Sequence, residues 1–248
     1  MSETRETWII LGASSSMAGP FIRTLAEAGH GLILAGRDKP DLAAIAADAG
    51  ARGASHVAQF ALDVRDAASF RAILTHAEGC EGQLCCAVFV GSMPDQSQID
   101  AEPGLVSGVV TDSFSGPARF LQALAPMLES RGGGSIVGVG SVAGDRGRLG
   151  NYVYGAAKAG FATYLSGLRN RLGREGVHVM TVKPGPVDTA MTWGLGPQPF
   201  MTTPDTVARD ILKGLRKGRN VVYTAGIWRW VMLVIRMIPE PIFKKMSI

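Results

Sequence analysis

The chain has 248 residues, 46% of them hydrophobic and 19% charged, the balance of an ordinary globular protein with enough apolar material for one sizeable core at a length that suits a single α/β domain. Its three cysteines, with Cys85 and Cys86 adjacent in an apolar run, offer neither a disulfide framework nor a metal-ligand spacing; the expectation is no metal, and small core cysteines in a reducing compartment. The net charge of +4 is uneven, because from Arg209 onward nine Lys and Arg face two acids; this local basic, apolar segment has no nucleic-acid reading motif, and nucleic-acid binding is not expected.

The opening MSETRETW lacks the basic-then-apolar pattern of a signal peptide, so a cytoplasmic protein is expected. TWIIL (7–11) then reads as a buried strand, and GASSSMAG (12–19) as a tight turn opening a helix that runs to about residue 28. Free N–H groups at such a helix start favour a phosphate, which makes Gly12, Ser14, Ser15, Ser16 and Met17 the expected diphosphate cradle. Ser16 and Ala18 stand where the fingerprint has its second and third glycines. Alanine is tolerated at the third position; Ser16 either crowds the diphosphate or hydrogen-bonds it.

GLILAGR (31–37) is a second strand, and at its end a dinucleotide fold reads the adenosine ribose. Arg37 favours a 2′-phosphate, hence NADP(H) over NAD(H), although Asp38 turned inward would favour the free hydroxyl. A helix over 41–50, a strand over 56–64 ending in Asp63-Val64, a helix over 66–78 and a strand over 84–91 ending at Gly91 continue the alternation. This predicts a doubly wound parallel sheet of Rossmann type, with Gly12, Arg37, Asp63 and Gly91 at the carboxyl ends of its strands. Residues 92–112 are polar and ambiguous. A long helix follows from Ser113, then a fifth strand over 132–141 ending at Ser141, a helix over about 152–173, and a sixth strand and Pro-Gly-Pro turn within 177–189.

Chemistry is expected between Gly140 and Gly160. Tyr154 and Lys158 are four residues apart, which places them on one helix face. A free tyrosine has a pKa of about 10, and a nearby ammonium lowers it. Ser141, delivered by a neighbouring strand, is placed to hydrogen-bond the same substrate oxygen.

In combination, GASSSMA, Asp63-Val64, GS at 140–141, YGAAK at 154–158 and KPGPVDT at 183–189 resemble the short-chain dehydrogenase/reductase family over essentially the whole chain. The resemblance implies NAD(P)H-dependent reduction of a carbonyl in a homo-dimer or tetramer. It also implies that Tyr154 is the general acid/base, that Lys158 lowers its pKa and holds the nicotinamide ribose, and that Ser141 orients the carbonyl. Asp63 and Val64 would flank the adenine, with Pro184, Gly185, Val187 and Thr189 at the nicotinamide end. The chain departs from the family at Ser16, at Phe89-Val90-Gly91 where N-A-G is common, and at Ser113, which aligns with the asparagine of the proton relay. A dinucleotide-binding regulatory protein without turnover is the alternative that these departures support. GDRGRLGNYVYGAAKAG and the terminal WRWVMLVIRMIPEPIFKKMSI are further similar to reductases of polyprenyl-phosphoryl 2-keto-pentoses, which would make the substrate a lipid-linked 2-keto sugar rather than a small ketone or keto-acyl compound.

Residues 1–226 are thus expected to form the catalytic domain, and 227–248 an apolar, basic tail. Its run Ile227–Met237 is too short to span a bilayer. Trp228, Trp230, Arg229, Arg236, Lys244 and Lys245 suit a peripheral membrane contact, and packing onto the substrate side or another subunit is the equal alternative.

Overall fold

The computed structural model describes residues 6–193, 196 and 198–246. Strands β1 (Glu6–Leu11), β2 (Gly31–Gly36), β3 (Val57–Ala61), β4 (Gln83–Val88), β5 (Ser135–Val139), β6 (His178–Pro184) and β7 (Val221–Thr224) form one sheet in the order β3-β2-β1-β4-β5-β6-β7. Every pairing is parallel. Their runs are continuously apolar because helices cover both faces: Trp8 and Ile10 enter one core, and Ile9 and Leu11 the other. Cys85 and Cys86 divide between the same two cores.

Helices α1 (Ala18–Glu27), α2 (Lys39–Ala51), α3 (Phe70–Glu78), α4 (Gln96–Ala101), α5 (Leu105–Val110), α6 (Gly116–Arg131), α7 (Tyr152–Leu172), α8 (Pro204–Arg216), α9 (Trp228–Met237) and α10 (Glu240–Phe243) complete the chain. Strand order reverses between β1 and β4, and the loops leaving the carboxyl ends there open the crevice in which such folds hold ligands.

The structure adds elements that periodicity left out. The ambiguous 92–112 stretch is largely helical, and α5 joins α6 through a wide π turn at Thr111–Ser115. Ser113 lies inside that turn, fully buried. Helix α8 and strand β7 form a further crossover unit, in which Gly214 of α8 lies against Val222 and Met180.

Cys80, expected in the core, is half-buried. It meets His56 and His76 with all three potential ligand atoms within 4.8 Å of one another. His56 precedes β3 and Cys80 precedes β4, so this cluster sits on the sheet edge opposite the crevice, where the fold brings the distant His56 to His76 and Cys80, four residues apart.

The tail docks its first half on the body. Trp228, Met232 and Ile235 of α9 pack with Val142. Trp228 leans on Gly185, where an added Cβ would fall 2.0 Å from the indole nitrogen. Arg146 clamps the far end, donating to the Ile235 and Ile238 carbonyls (2.5 and 2.6 Å) and to Glu240 (2.9 Å), with its guanidinium over the Phe243 ring. Trp230, Leu233, Val234 and Met237 form an exposed apolar stripe on the other face of α9. No helix among the described residues is long and apolar enough to cross a membrane.

Candidate active site

Two adjoining cavities open at the carboxyl edge of the sheet. The larger, about 310 Å³, runs along the ends of β1 to β5 and is lined by Gly12, Ser14, Ser15, Ser16, Met17, Arg37, Asp63, Val64, Gly91, Tyr154, Lys158 and Thr189, among others. The second, about 150 Å³, continues from it past Tyr154 and is walled by Ser141, Arg148, Asn151, Pro184, Gly185 and Val187. The fold therefore gathers the sequence-predicted residues into one continuous groove, with Ser113 just behind Gly91.

At the groove's phosphate end, Gly12 has φ +78°, and a Cβ on it would come within 3.2 Å of the Phe89 and Val90 backbone. The glycine lets β1 turn hard against the end of β4. The backbone N–H groups of Ser14, Ser16 and Met17 have no partner among the described residues, and they stand at the positive end of α1. Such a cradle of unpaired donors fits a diphosphate. The Ser16 side chain is exposed on this wall rather than packed behind it. Asp38 spends its carboxylate capping α2, accepting from the Asp41 N–H at 2.9 Å. Arg37 is therefore the residue of the pair that lines the groove.

At the other end, Tyr154 and Lys158 lie in the first two turns of α7, both buried. The Lys158 ammonium donates to the Val139 and Val90 carbonyls (3.0 and 3.3 Å). Gly91 faces both Lys158 and Ser113, and the Ser113 hydroxyl exchanges hydrogen bonds with the Ser92 backbone. Ser141 Oγ accepts from the Ala143 N–H (3.1 Å), which leaves its own proton to be donated into the cavity.

The electrostatics depart from the sequence expectation. Burial pushes Tyr154 up to about 12, opposed by the Ser141 hydroxyl and by the positive charge of Arg148 rather than by Lys158. Lys158 is itself desolvated and pushed down to about 8, still cationic at neutral pH; burial lowers the Arg148 guanidinium as well, from a far higher starting value.

Several residues shape the site without having been singled out as site residues. Gly144 and Gly155 interlock the Ser141 turn with α7: a Cβ on Gly155 would fall 2.7 Å from the Ala143 carbonyl oxygen, and one on Gly144 within 2.8 Å of the Ala159 nitrogen. Asp145, in the same turn, accepts from Lys183 of β6 and from the Tyr223 hydroxyl of β7. The Val187–Thr202 bridge ties together the two ends of the loop that follows β6. Glycines inside GSVAGD and YGAAKAG were the available signal, but the partner surface of each is visible only in three dimensions.

A phosphate cradle at a helix start, a groove across the switch point and a Ser-Tyr-Lys group at its far end define a dinucleotide-binding oxidoreductase. Residues 6–199 match the short chain dehydrogenase family model. An uncharacterized oxidoreductase of Mycobacterium tuberculosis is 33% identical over 239 residues, covering 96% of each chain. Sulfoacetaldehyde reductase 2 of Chromohalobacter salexigens is 31% identical over 188 residues, 74% of this chain and 73% of that one. A Burkholderia cenocepacia short chain dehydrogenase in complex with NADP superimposes with a TM-score of 0.84 at 20% identity, covering 99% of this chain and 98% of that one. This chain belongs to the short chain dehydrogenase family and is an NAD(P)-dependent oxidoreductase.

Proposed function

We propose that this protein reduces a carbonyl compound to an alcohol, with NADPH preferred to NADH. The observation that carries this reading is the convergence of Ser141, Tyr154 and Lys158 where the phosphate-cradle groove meets the second cavity. A bound nicotinamide dinucleotide supplies the hydride. Gly12, the Ser14–Met17 turn and Arg37 hold its phosphates; Asp63, Val64 and Gly91 line its path; Pro184, Gly185, Val187 and Thr189 wall the nicotinamide end. Ser141 donates to the carbonyl oxygen and fixes its position, and Tyr154, protonated at neutral pH, delivers the proton to it. Lys158, braced by two backbone carbonyls, keeps a positive charge beneath the tyrosine. Ser113, held by Ser92, supports the Gly91 wall and a proton path behind Lys158.

The test is carbonyl-dependent oxidation of 4-deuterated NADPH, with deuterium recovered on the alcohol carbon. Cofactor binding without its oxidation by any carbonyl in a broad panel would sink the reading and favour a dinucleotide-binding regulator. NADPH is expected to outperform NADH, and Arg37→Ala to shrink that ratio by about 10–100-fold, the worth of a charge-assisted hydrogen bond. A strong NADH preference in the unmodified protein would overturn the role given to Arg37.

Two substrate classes remain in contention within this reading. The name of the Chromohalobacter relative supports a small aldehyde or ketone. A lipid-linked 2-keto sugar is supported by apolar side chains that stay exposed near the cavity, Leu149, Trp193 and Phe200, and by α9, whose stripe is flanked by Arg229, Arg236, Lys244 and Lys245. On this proposal the protein is a cytoplasmic homo-oligomer that rests its tail on an anionic membrane face. It is expected to sediment with vesicles containing phosphatidylglycerol at low salt, less at high salt, and not after Trp230→Glu with Val234→Glu. Absence of binding at low salt would remove the membrane contact and leave the stripe to a subunit interface.

A further inference from the structure

The second cavity holds two polar groups that the proton-transfer scheme does not use. Arg148 Nε is buried and has no hydrogen-bond partner, and the same is true of Asn151 Oδ1. Both residues line the cavity together with Ser141 and Tyr154. Arg148 makes no ion pair among the described residues: Asp145, the carboxylate that acts on it electrostatically, is committed to Lys183 and Tyr223. Burying the Nε edge of a half-buried guanidinium with no acceptor is costly, and such an edge persists where a ligand completes it.

Asn151 carries an independent sign. It occupies the N-cap of α7, a position where an asparagine side chain ordinarily accepts from the helix's first N–H groups. Here it makes no such bond, with φ −164° and ψ 38°. Its backbone does the structural work instead: its N–H donates to the Arg148 carbonyl and its own carbonyl accepts from Gly155. The amide is left to the cavity.

Resting on the carbonyl-reductase reading, we infer that Arg148 and Asn151 form a subsite for an oxyanion and a hydroxyl carried by the substrate, so that the preferred substrate is a hydroxylated aldehyde or ketone bearing a phosphate, sulfonate or carboxylate. The guanidinium offers a fork of donors to the oxyanion, and the Asn151 amide oxygen accepts from the hydroxyl. Both flank the carbonyl held by Ser141 and Tyr154. Neutral ketones lose the counter-ion for Arg148 and are disfavoured on the same ground by which buried sites reject analogues that leave their polar groups unpaired. The same guanidinium favours the phenolate of Tyr154, so an anion seated on Arg148 would damp that field and keep the tyrosine in its proton-donating form.

The experiment compares dihydroxyacetone phosphate with dihydroxyacetone, a pair that differs only in the oxyanion, in the unmodified protein and in Arg148→Met, Arg148→Lys and Asn151→Ala. The unmodified protein is expected to show a kcat/KM ratio of about 10–100 in favour of the phosphate, carried mainly by KM. Arg148→Met should collapse the ratio to near one, Arg148→Lys should restore part of it, and Asn151→Ala should weaken both compounds alike. A ratio near one in the unmodified protein, or one that survives Arg148→Met, overturns the subsite. Titration calorimetry of dihydroxyacetone phosphate into the NADPH-loaded protein decides the case if neither compound turns over. Binding lost in Arg148→Met keeps the subsite, and the reductase reading is then decided separately by the broad carbonyl panel; equal or absent binding in both proteins rejects the subsite itself. Thermal melting of each variant separates a folding defect from a binding one.

Discussion

Replacing Tyr154 by Phe is expected to lower kcat for carbonyl reduction by roughly a hundredfold to ten-thousandfold, the range that one well-placed acid contributes, while dinucleotide binding stays nearly intact. The asymmetry follows from where the hydroxyl sits. The tyrosine ring is packed in a small core with Ile99, Val109, Ala143 and Ala157, so phenylalanine fills the same space and α7 keeps its place. The phosphate cradle and Arg37 are at the other end of the groove. What disappears is the one acidic hydrogen beside Ser141, and with its pKa pushed up to about 12 that hydrogen is present throughout the neutral range in the unmodified protein. Cofactor affinity is read by fluorescence and turnover by cofactor oxidation. Turnover within a few-fold of the unmodified protein would show that the proton comes from elsewhere, with Ser141 or a solvent path behind Ser113 the next groups to substitute.

A pair of glycines in α7 gives the second large effect, with opposite signs in one helix. Glycine to alanine inside a helix ordinarily stabilises by about 0.5–1 kcal/mol, because the unfolded chain loses freedom and the helix gains a better former. Gly167 has nothing within 4 Å of an added Cβ, so Gly167→Ala should show that gain. Gly155→Ala should instead destabilise by about 1–3 kcal/mol, the usual penalty of overpacking, because the new carbon would meet the Ala143 carbonyl oxygen at 2.7 Å. Backbone cannot rotate out of the way as a side chain can, so relief requires the Ser141 turn to back away from α7. The loss of kcat should therefore exceed the loss of stability, with KM for the dinucleotide little changed. Urea unfolding and steady-state kinetics on the two variants decide it. Gly155→Ala as stable and active as Gly167→Ala would mean that the turn and the helix are not in the close contact on which the Ser141–Tyr154 placement depends.

Most of the fold was legible because its strands and helices carry local signals. Six apolar runs separated by helical periods announce a parallel sheet, and each run ends in the residue that a ligand at the carboxyl edge would meet. The seventh strand was missed since VVYT is only four residues long and half-exposed, too short to separate from a loop by pattern. The helices between residues 92 and 112 were obscured because each is only six residues long, the first of them polar, and by a π turn whose hydrogen bonds break the 3.6-residue register. The position of Asp38 was resolved only when its carboxylate proved to be capping α2.

The amino-acid sequence alone determined the class of protein. The order of strand, glycine turn and helix, the Arg37 that closes β2, and the spacing of Tyr154 and Lys158 are short-range facts, each set by residues adjacent in the chain or one helical turn apart. Tertiary structure decided what surrounds the reacting oxygen. Ser141 reaches Tyr154 because Gly144 and Gly155 let two backbones touch. Arg148 acts on the tyrosine because Asp145 is drawn away by residues on β6 and β7. Trp228, 43 residues beyond Gly185, packs under the cavity wall because the tail folds back on Val142. Close approach, burial and the partner left over for a charge depend on which distant segments meet. No spacing rule encodes them, so the pairing of Tyr154 with Lys158 was legible between Gly140 and Gly160 while the groups packed around that pair waited for the fold.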